Sequence, residues 1–387
     1  MSAIPAPDHD RAGSRGPLLL ALGLLGLCVA VAYQHWLLAP QPLADEGAYV
    51  CAAEQVARGA SPFAACPRYV HPPLLAQVLA WILEHAGFAF LLGVLRVINS
   101  VGVVVAVGLS LELTRLAWRW KLLLGAIALI ALPPARQALE LGNLSGAASG
   151  LTAIALFGPV PTPAAATLLA LAIALKPLPM VVSVVLAAQG VALWRARPLQ
   201  AHRSLLIGAG AALLALGAFA VSGGFGIGNA LEVDAQNNVS LTRLLRGIGI
   251  ARPELGVFVV VSLAAAWLAA WRARDERFVK ALALVASLLS APLVWNHSWL
   301  LVAPVVALAA AARPGEPASS WAERARRPVL VALGGVLLIT SDGLAGFCFE
   351  LKAVNALCVL LPLLTPAALL WSLVERNRSD RRTIKDL

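Results

Sequence analysis

Apolar residues along this chain come in long unbroken runs separated by short polar clusters, with no alternation between apolar and polar positions. Runs of roughly 18 or more apolar residues are the length a helix needs to cross a bilayer. A barrel strand would alternate instead. The pattern predicts an all-α polytopic membrane protein.

The first run, residues 17–38, reads as a retained first span, since no small-residue cleavage site follows it. The second half reads as spans at 204–222, 254–271, 279–295, 298–312, 329–345 and 353–374. Between 70 and 194 the segments are shorter: 70–86, 88–113, 122–135, 138–157, 163–175 and 177–194. Proline breaks them at Pro133-Pro134, Pro159, Pro161, Pro163, Pro177 and Pro179. Counting all six as crossings puts the basic loop that follows on the wrong side, so at least one is re-entrant or two form one broken helix. Irregular backbone at that depth is stable only inside protein or against a wet cavity. The estimate is about twelve spans in one transmembrane domain, 17–374, flanked by tails 1–16 and 375–387.

Composition agrees: 60% of the 387 residues are hydrophobic and 13% charged, which a water-exposed surface does not tolerate. The net charge of +10 changes the picture only through its placement. Basic residues cluster at Arg195–Arg203, Arg272–Lys280, Arg313–Arg327 and Arg376–Lys385, the signature of cytoplasmic loops rather than of nucleic-acid binding. The loops carrying Asp45, residues 223–252, Trp295–Ser298 and 341–352 then share the outer face. The five cysteines form no CxxC pair; Cys51 and Cys66 share an outer loop, where they either pair or remain thiols.

Against this background few residues have chemistry to offer. Asp45 and Glu46 open the Ala-rich stretch EGAYVCAAEQVARG, which suits a short interfacial helix. Asp45 is read two ways, as the helix N-cap and as a general base at the mouth of a cavity. In CPRYVHPPLLAQVL, Pro72-Pro73 opens a helix and holds Tyr69 and His71 at the membrane surface, as belt residues or as contacts to a sugar or acceptor. Lys176, beside Pro177 and Pro179, is a charge deep in an apolar region, where it either snorkels or meets a phosphate in a polar cavity.

In DAQNNVSLTRLLRGIG, Arg243 and Arg246 run against the positive-inside bias and share a helical face fit for a phosphate. Asn237, Asn238 and Ser240 suit sugar hydroxyls or simple turns. In SAPLVWNHSWLL, Trp295 and Trp299 fit an aromatic belt, Asn296 is left for a sugar or acceptor, and His297 for a phosphate oxygen or a carboxylate. No nucleophile elbow, zinc motif or phosphate loop occurs in a fitting context, and no metal or cofactor is expected.

These motifs, in this order, resemble the GT-C superfamily of polyprenyl-phosphate-sugar-dependent glycosyltransferases. ALAIALKPLPMVV, NNVSLTRLLRGIG and SAPLVWNHSWLL look most like glycosyltransferase family 87, a group with bacterial polyprenyl-phosphate-mannose α-mannosyltransferases. The similarity is discontinuous from about residue 40 to 312. It implies a GT-C-like helical bundle in the bacterial inner membrane with an active site facing the periplasm or exterior. It further implies a polyprenyl-phosphate sugar as donor, a lipid or glycan hydroxyl as acceptor, the catalytic acid on Asp45 and the last-motif histidine on His297. The chain departs from the pattern in its paired Asp45-Glu46, its His71 in place of an aromatic residue and its Asn296-His297-Ser298 in place of Asp-His-His. The first two features look more like the protein-mannosyl and aminoarabinose transferase branches. Under the resemblance Glu46 is the alternate base, and Lys176, Arg243 or Arg246 carries the phosphate charge. A transporter or lipid-linked-sugar flippase is the alternative, which expects charges near the midplane and repeated halves.

Overall fold

The computed structural model describes residues 15–63, 65–114, 116–222, 240–247, 249–292, 294 and 296–310. The predicted spans at 329–345 and 353–374, the last two basic clusters, and Asn237 and Asn238 lie outside the described residues. So do the side chains of Arg243 and Asn296.

Among the described residues every regular element is helical. In chain order they are α1 (Arg15–Ala32), α2 (Gln34–Leu37), α3 (Glu46–Ala57), α4 (Pro73–Ala86), α5 (Phe88–Glu112), α6 (Trp118–Ala131), α7 (Pro133–Leu141) and α8 (Ser145–Phe157). Then come α9 (Thr162–Leu175), α10 (Met180–Leu193), α11 (Pro198–Val221), α12 (Leu241–Gly247), α13 (Glu254–Trp271), α14 (Glu276–Ser290), a 3₁₀ helix (Asn296–Val302) and α15 (Ala303–Ala310).

Proline supplies several of the starts. α4, α7, α9 and α11 each carry it in the first turn, where the missing N–H costs no hydrogen bond. Three described helices are long and apolar enough to cross a bilayer: α5, α11 and α13. The pair α6 and α7, bent by 55° at Leu132-Pro133, is apolar enough to form one broken span or a re-entrant loop. An interruption of this kind, re-entrant or broken, is what the proline pattern requires, and it falls at the predicted Pro133-Pro134.

One expected segment, 138–157, is divided. α7 ends at Gly142, whose left-handed φ of 69° closes the helix, and α8 begins three residues later. A side chain on Gly142 would be strained by that φ, and its Cβ would come within 2.5 Å of the Glu46 side chain. The polar residues of this break, Asn143 and Ser145, belong to the site described below.

α8, α9 and α10 have 13, 14 and 14 residues, about 20 Å each, shorter than the roughly 30 Å hydrocarbon core. α8 is largely buried among other helices, whereas α9 and α10 expose Leu171 and Val191. α8 crosses α5 at glycine contacts: a Cβ on Gly150 would lie 2.5 Å from the Gly102 carbonyl oxygen and 2.6 Å from its Cα. Such small-residue crossings are how helices approach closely in lipid, where no hydrophobic effect drives them together.

Among the described residues three large apolar clusters result, with a small fourth one of Leu193, Ala201 and Ala273. One joins α8–α11 with α13–α15; a second joins α3, α4 and the start of α5; a third joins α1, α5, α6 and α7. The Asn143 break, Lys176 and the 3₁₀ helix lie where they meet.

Candidate active site

Asp45 precedes α3 in the N-cap position, yet its side chain caps nothing. Its backbone N–H donates to the Leu141 carbonyl, which ties it to the end of α7. Its carboxylate turns to Asn143, whose Nδ2 donates to Oδ2 at 2.7 Å. Of the two readings open in the sequence, capping is therefore not what this carboxylate does.

Asn143 is the hub, and the sequence pattern passes over it. Its Oδ1 accepts from the Ser145 backbone N–H at 2.9 Å and from the Ser145 hydroxyl at 2.7 Å. A backbone N–H only donates, so this contact fixes the amide orientation and leaves the NH₂ group to Asp45. The Lys176 ammonium donates to Ser145 Oγ and, at 3.4 Å, to Asn143 Oδ1. Lys176 caps α9 at the Pro177 break with extended backbone, and it is 8% exposed. An acid and a cation from distant parts of the chain are thus joined through one amide.

His71 approaches from the α4 side. Its Nδ1 lies 2.8 Å from the Leu175 carbonyl, which only accepts, so Nδ1 carries the proton and Nε2 is the acceptor nitrogen. The ring packs edge-on against Tyr49, 5.0 Å between centroids. Burial, with help from the Lys176 charge and against the Leu175 hydrogen bond, pushes His71 down to about 4, so it is neutral at ordinary pH. For Asp45, burial raises the carboxyl above its usual range. The Asn143 hydrogen bond and the charges of Lys176 and Arg68 pull it back only in part.

His297 is 3% exposed on the 3₁₀ helix, which packs on α7, α8 and α14. It lies within electrostatic reach of both Lys176 and His71. At the start of α12, Thr242 Oγ1 donates to the Pro292 carbonyl at 3.0 Å and brings that helix beside the same segment.

Other expected site residues have different employment. Glu46 is fully buried and accepts from Arg96 through Nε at 3.0 Å and Nη2 at 2.9 Å, and from the Leu43 N–H at 2.8 Å. Arg96 spends its remaining donors on the carbonyls of Leu37, Ala39 and Gln41. This pair fastens the loop that delivers Asp45. Arg96 was findable, because an arginine inside an apolar run calls for a partner. Tyr69 is fully buried and donates to the Pro72 carbonyl at 2.7 Å, bracing the turn before α4. The Arg246 guanidinium pairs with the Glu254 carboxylate. Cys51 and Cys66 form a disulfide between α3 and the loop before Tyr69, which decides the question the sequence left open.

The chain matches no known protein family profile. It matches no curated protein. Among solved structures it is similar to the crystal structure of ArnT from Cupriavidus metallidurans bound to undecaprenyl phosphate, at 17% sequence identity over 95% of this chain and 79% of that one. The TM-score is 0.36, too low for that likeness to carry an argument about fold or chemistry.

Proposed function

We propose that this chain is a membrane glycosyltransferase that moves a sugar from polyprenyl phosphate to a hydroxyl of a lipid or glycan acceptor at the outer face of the bacterial inner membrane. The observation that carries this reading is the Asp45–Asn143–Lys176 linkage, with His71 and His297 beside it. A carboxylate raised by burial is a base for a hydroxyl, and a buried ammonium is a counter-charge for a phosphate.

The step is an inverting displacement. Asp45 takes the acceptor's proton as its oxygen bonds to the anomeric carbon. The bond from that carbon to the phosphate oxygen breaks, and the lipid phosphate leaves with its charge held by Lys176. Asn143 keeps the acid and the cation in fixed relation. Neutral His297 and His71 are suited to hydrogen-bond the phosphate or sugar. Arg243 is a further candidate for the phosphate; Arg246 already has a carboxylate, and Glu46 is committed to Arg96. Asn237, Asn238 and Asn296 are candidates for sugar hydroxyls. The order of motifs that resembles the GT-C superfamily supports the donor class, with a mannose-like hexose or a pentose as the sugar. A transporter expects its ionisable residues along a path through the bilayer. Here Asp45, His71, Lys176 and His297 gather at one end of the helices.

The test is purified protein with a panel of polyprenyl-phosphate sugars, following release of polyprenyl phosphate. Wild type turns over at least one donor and Asp45→Asn, equally folded, does not. Full turnover by Asp45→Asn would remove Asp45 as the base, and no release with any donor would remove the reaction.

A further inference from the structure

The helices that build the candidate site have opposite ends, and a polar cavity lies there. α8, α10, α11 and α14 all present to it the end remote from Asn143 and Lys176. Ser145 begins α8 at the site, whereas Ala155, ten residues on and about 15 Å along the helix, lines the cavity. The cavity holds about 380 Å³ and is lined by the side chains of Gln189, Gln200, Arg203, Ser204, Glu276 and Lys280 over an apolar floor.

Its polar groups are ordered rather than loose. Gln189, 1% exposed, donates to the Ala273 carbonyl at 2.9 Å and accepts from the Ser204 hydroxyl at 3.1 Å. Lys280 pairs with Glu276 at 2.6 Å, with its ammonium 5.2 Å from the centre of the Phe157 ring. Arg203, exposed at the rim, lies within electrostatic reach of both. Arg203 and Lys280 against Glu276 leave one positive charge in excess. The loops at this end, Arg195–Arg203 and Arg272–Lys280, are the basic ones.

Below the rim, α11 shows lipid an apolar track. Leu199, Leu206 and Leu213 recur every seven residues, two turns apart, and are 89%, 42% and 70% exposed. A positive rim over a lipid-facing apolar stripe matches a molecule with a phosphate at one end and acyl chains at the other. A free anion would have no use for the stripe.

We infer that the cavity between α8, α10, α11 and α14 seats the phosphate of an anionic phospholipid from the leaflet opposite the Asp45 site, with Arg203 and Lys280 on the phosphate and an acyl chain along α11. Gln200 and Ser204 are placed to hydrogen-bond the glycerol or phosphate oxygens. The inference needs only that the chain spans a membrane, and stands apart from the proposed transfer reaction.

The test is thermal stability and retained lipid of the full chain in nanodiscs of phosphatidylcholine with and without phosphatidylglycerol. Phosphatidylglycerol is expected to stabilise wild type and to stay bound through delipidation. Arg203→Gln should weaken that binding about fivefold, the worth of one surface charge near anionic lipid, and Arg203→Lys should restore it. Leu206→Asn should weaken retention of phosphatidylglycerol without altering the effect of salt. Equal retention by wild type and Arg203→Gln would overturn the inference. So would stabilisation by millimolar inorganic phosphate equal to that by phosphatidylglycerol, which would assign a free-anion site.

Discussion

The Asn143 amide donates to the Asp45 carboxylate at 2.7 Å while its oxygen receives the Ser145 N–H and the Lys176 ammonium. One neutral side chain thereby sets where an acid and a cation stand relative to each other. Asn143→Ala is expected to lower kcat roughly 100-fold, the scale of a misplaced reacting group, with little change in KM for donor. It should also move the acidic limb of the pH profile upward, because the lost hydrogen bond was lowering the Asp45 pKa. A purely structural role would lower activity without moving that limb. Asn143→Asp should move the limb further still, since a second carboxylate disfavours ionisation of the first.

Burial acts on Asp45 with two opposite consequences. As a base it must be ionised, so kcat/KM should fall off on the acid side above the ordinary carboxylate range near 3.9. For stability the sign reverses. A carboxyl whose folded pKa is raised favours the fold while protonated, and that contribution is lost as pH rises through the folded value. At neutral pH the ionised Asp45 therefore costs stability, and Asp45→Asn should raise Tm while abolishing transfer. Calorimetry alongside the pH–rate profile checks both; an acidic limb at or below the ordinary range would contradict the assignment.

The Glu46–Arg96 pair is a buried ion pair whose partners also satisfy backbone groups. Breaking such a pair from one side typically costs about 3–5 kcal/mol, because the remaining charge stays buried. Arg96→Met should lose stability on that scale and activity with it, since the 37–46 loop is released. Glu46→Gln combined with Arg96→Met should recover most of the stability. A double-mutant cycle by chemical denaturation measures the coupling, and additive losses would show that the two act separately.

The α5–α8 crossing tolerates no Cβ at Gly150. Gly150→Ala must separate two backbones, so a loss of about 1–3 kcal/mol is expected. Activity should fall as well, because α8 carries Ser145 and follows Asn143. Gly217→Ala in α11, where the added carbon meets nothing within 4 Å, is the control and should be neutral or stabilising by up to about 1 kcal/mol. Thermal unfolding of the two variants separates crowding from helix propensity.

Hydropathy and proline placement made the helical class, the interruption at Pro133 and the break at Lys176 legible in the sequence, because each is a local consequence of apolar length or a missing N–H. The expectation of about twelve spans is a different matter. The described residues give three or four helices of spanning length, while two predicted spans lie outside them. The pairing of Asp45 and Lys176 was not legible, since it runs through Asn143, a residue that periodicity absorbs into one apolar segment. Its signal was the Gly142-Asn143 step, a common helix stop, followed by Ser145. The pairing of Glu46 with Arg96 was hidden for a similar reason. Two adjacent acids look equivalent in sequence, but a helix points successive side chains about 100° apart. One faces Asn143 and its neighbour faces Arg96.

Every donor of Arg96 is spent on the segment from Leu37 to Glu46, and the Cys51–Cys66 disulfide ties α3 to the loop behind it. Asp45 thus stands on ground that has no slack to give. Substrates differing slightly in shape must accommodate to this carboxylate, since the carboxylate is not built to follow them. For the proposed transfer, selectivity at this centre would then reside in what the acceptor can do with its hydroxyl once its other end is bound.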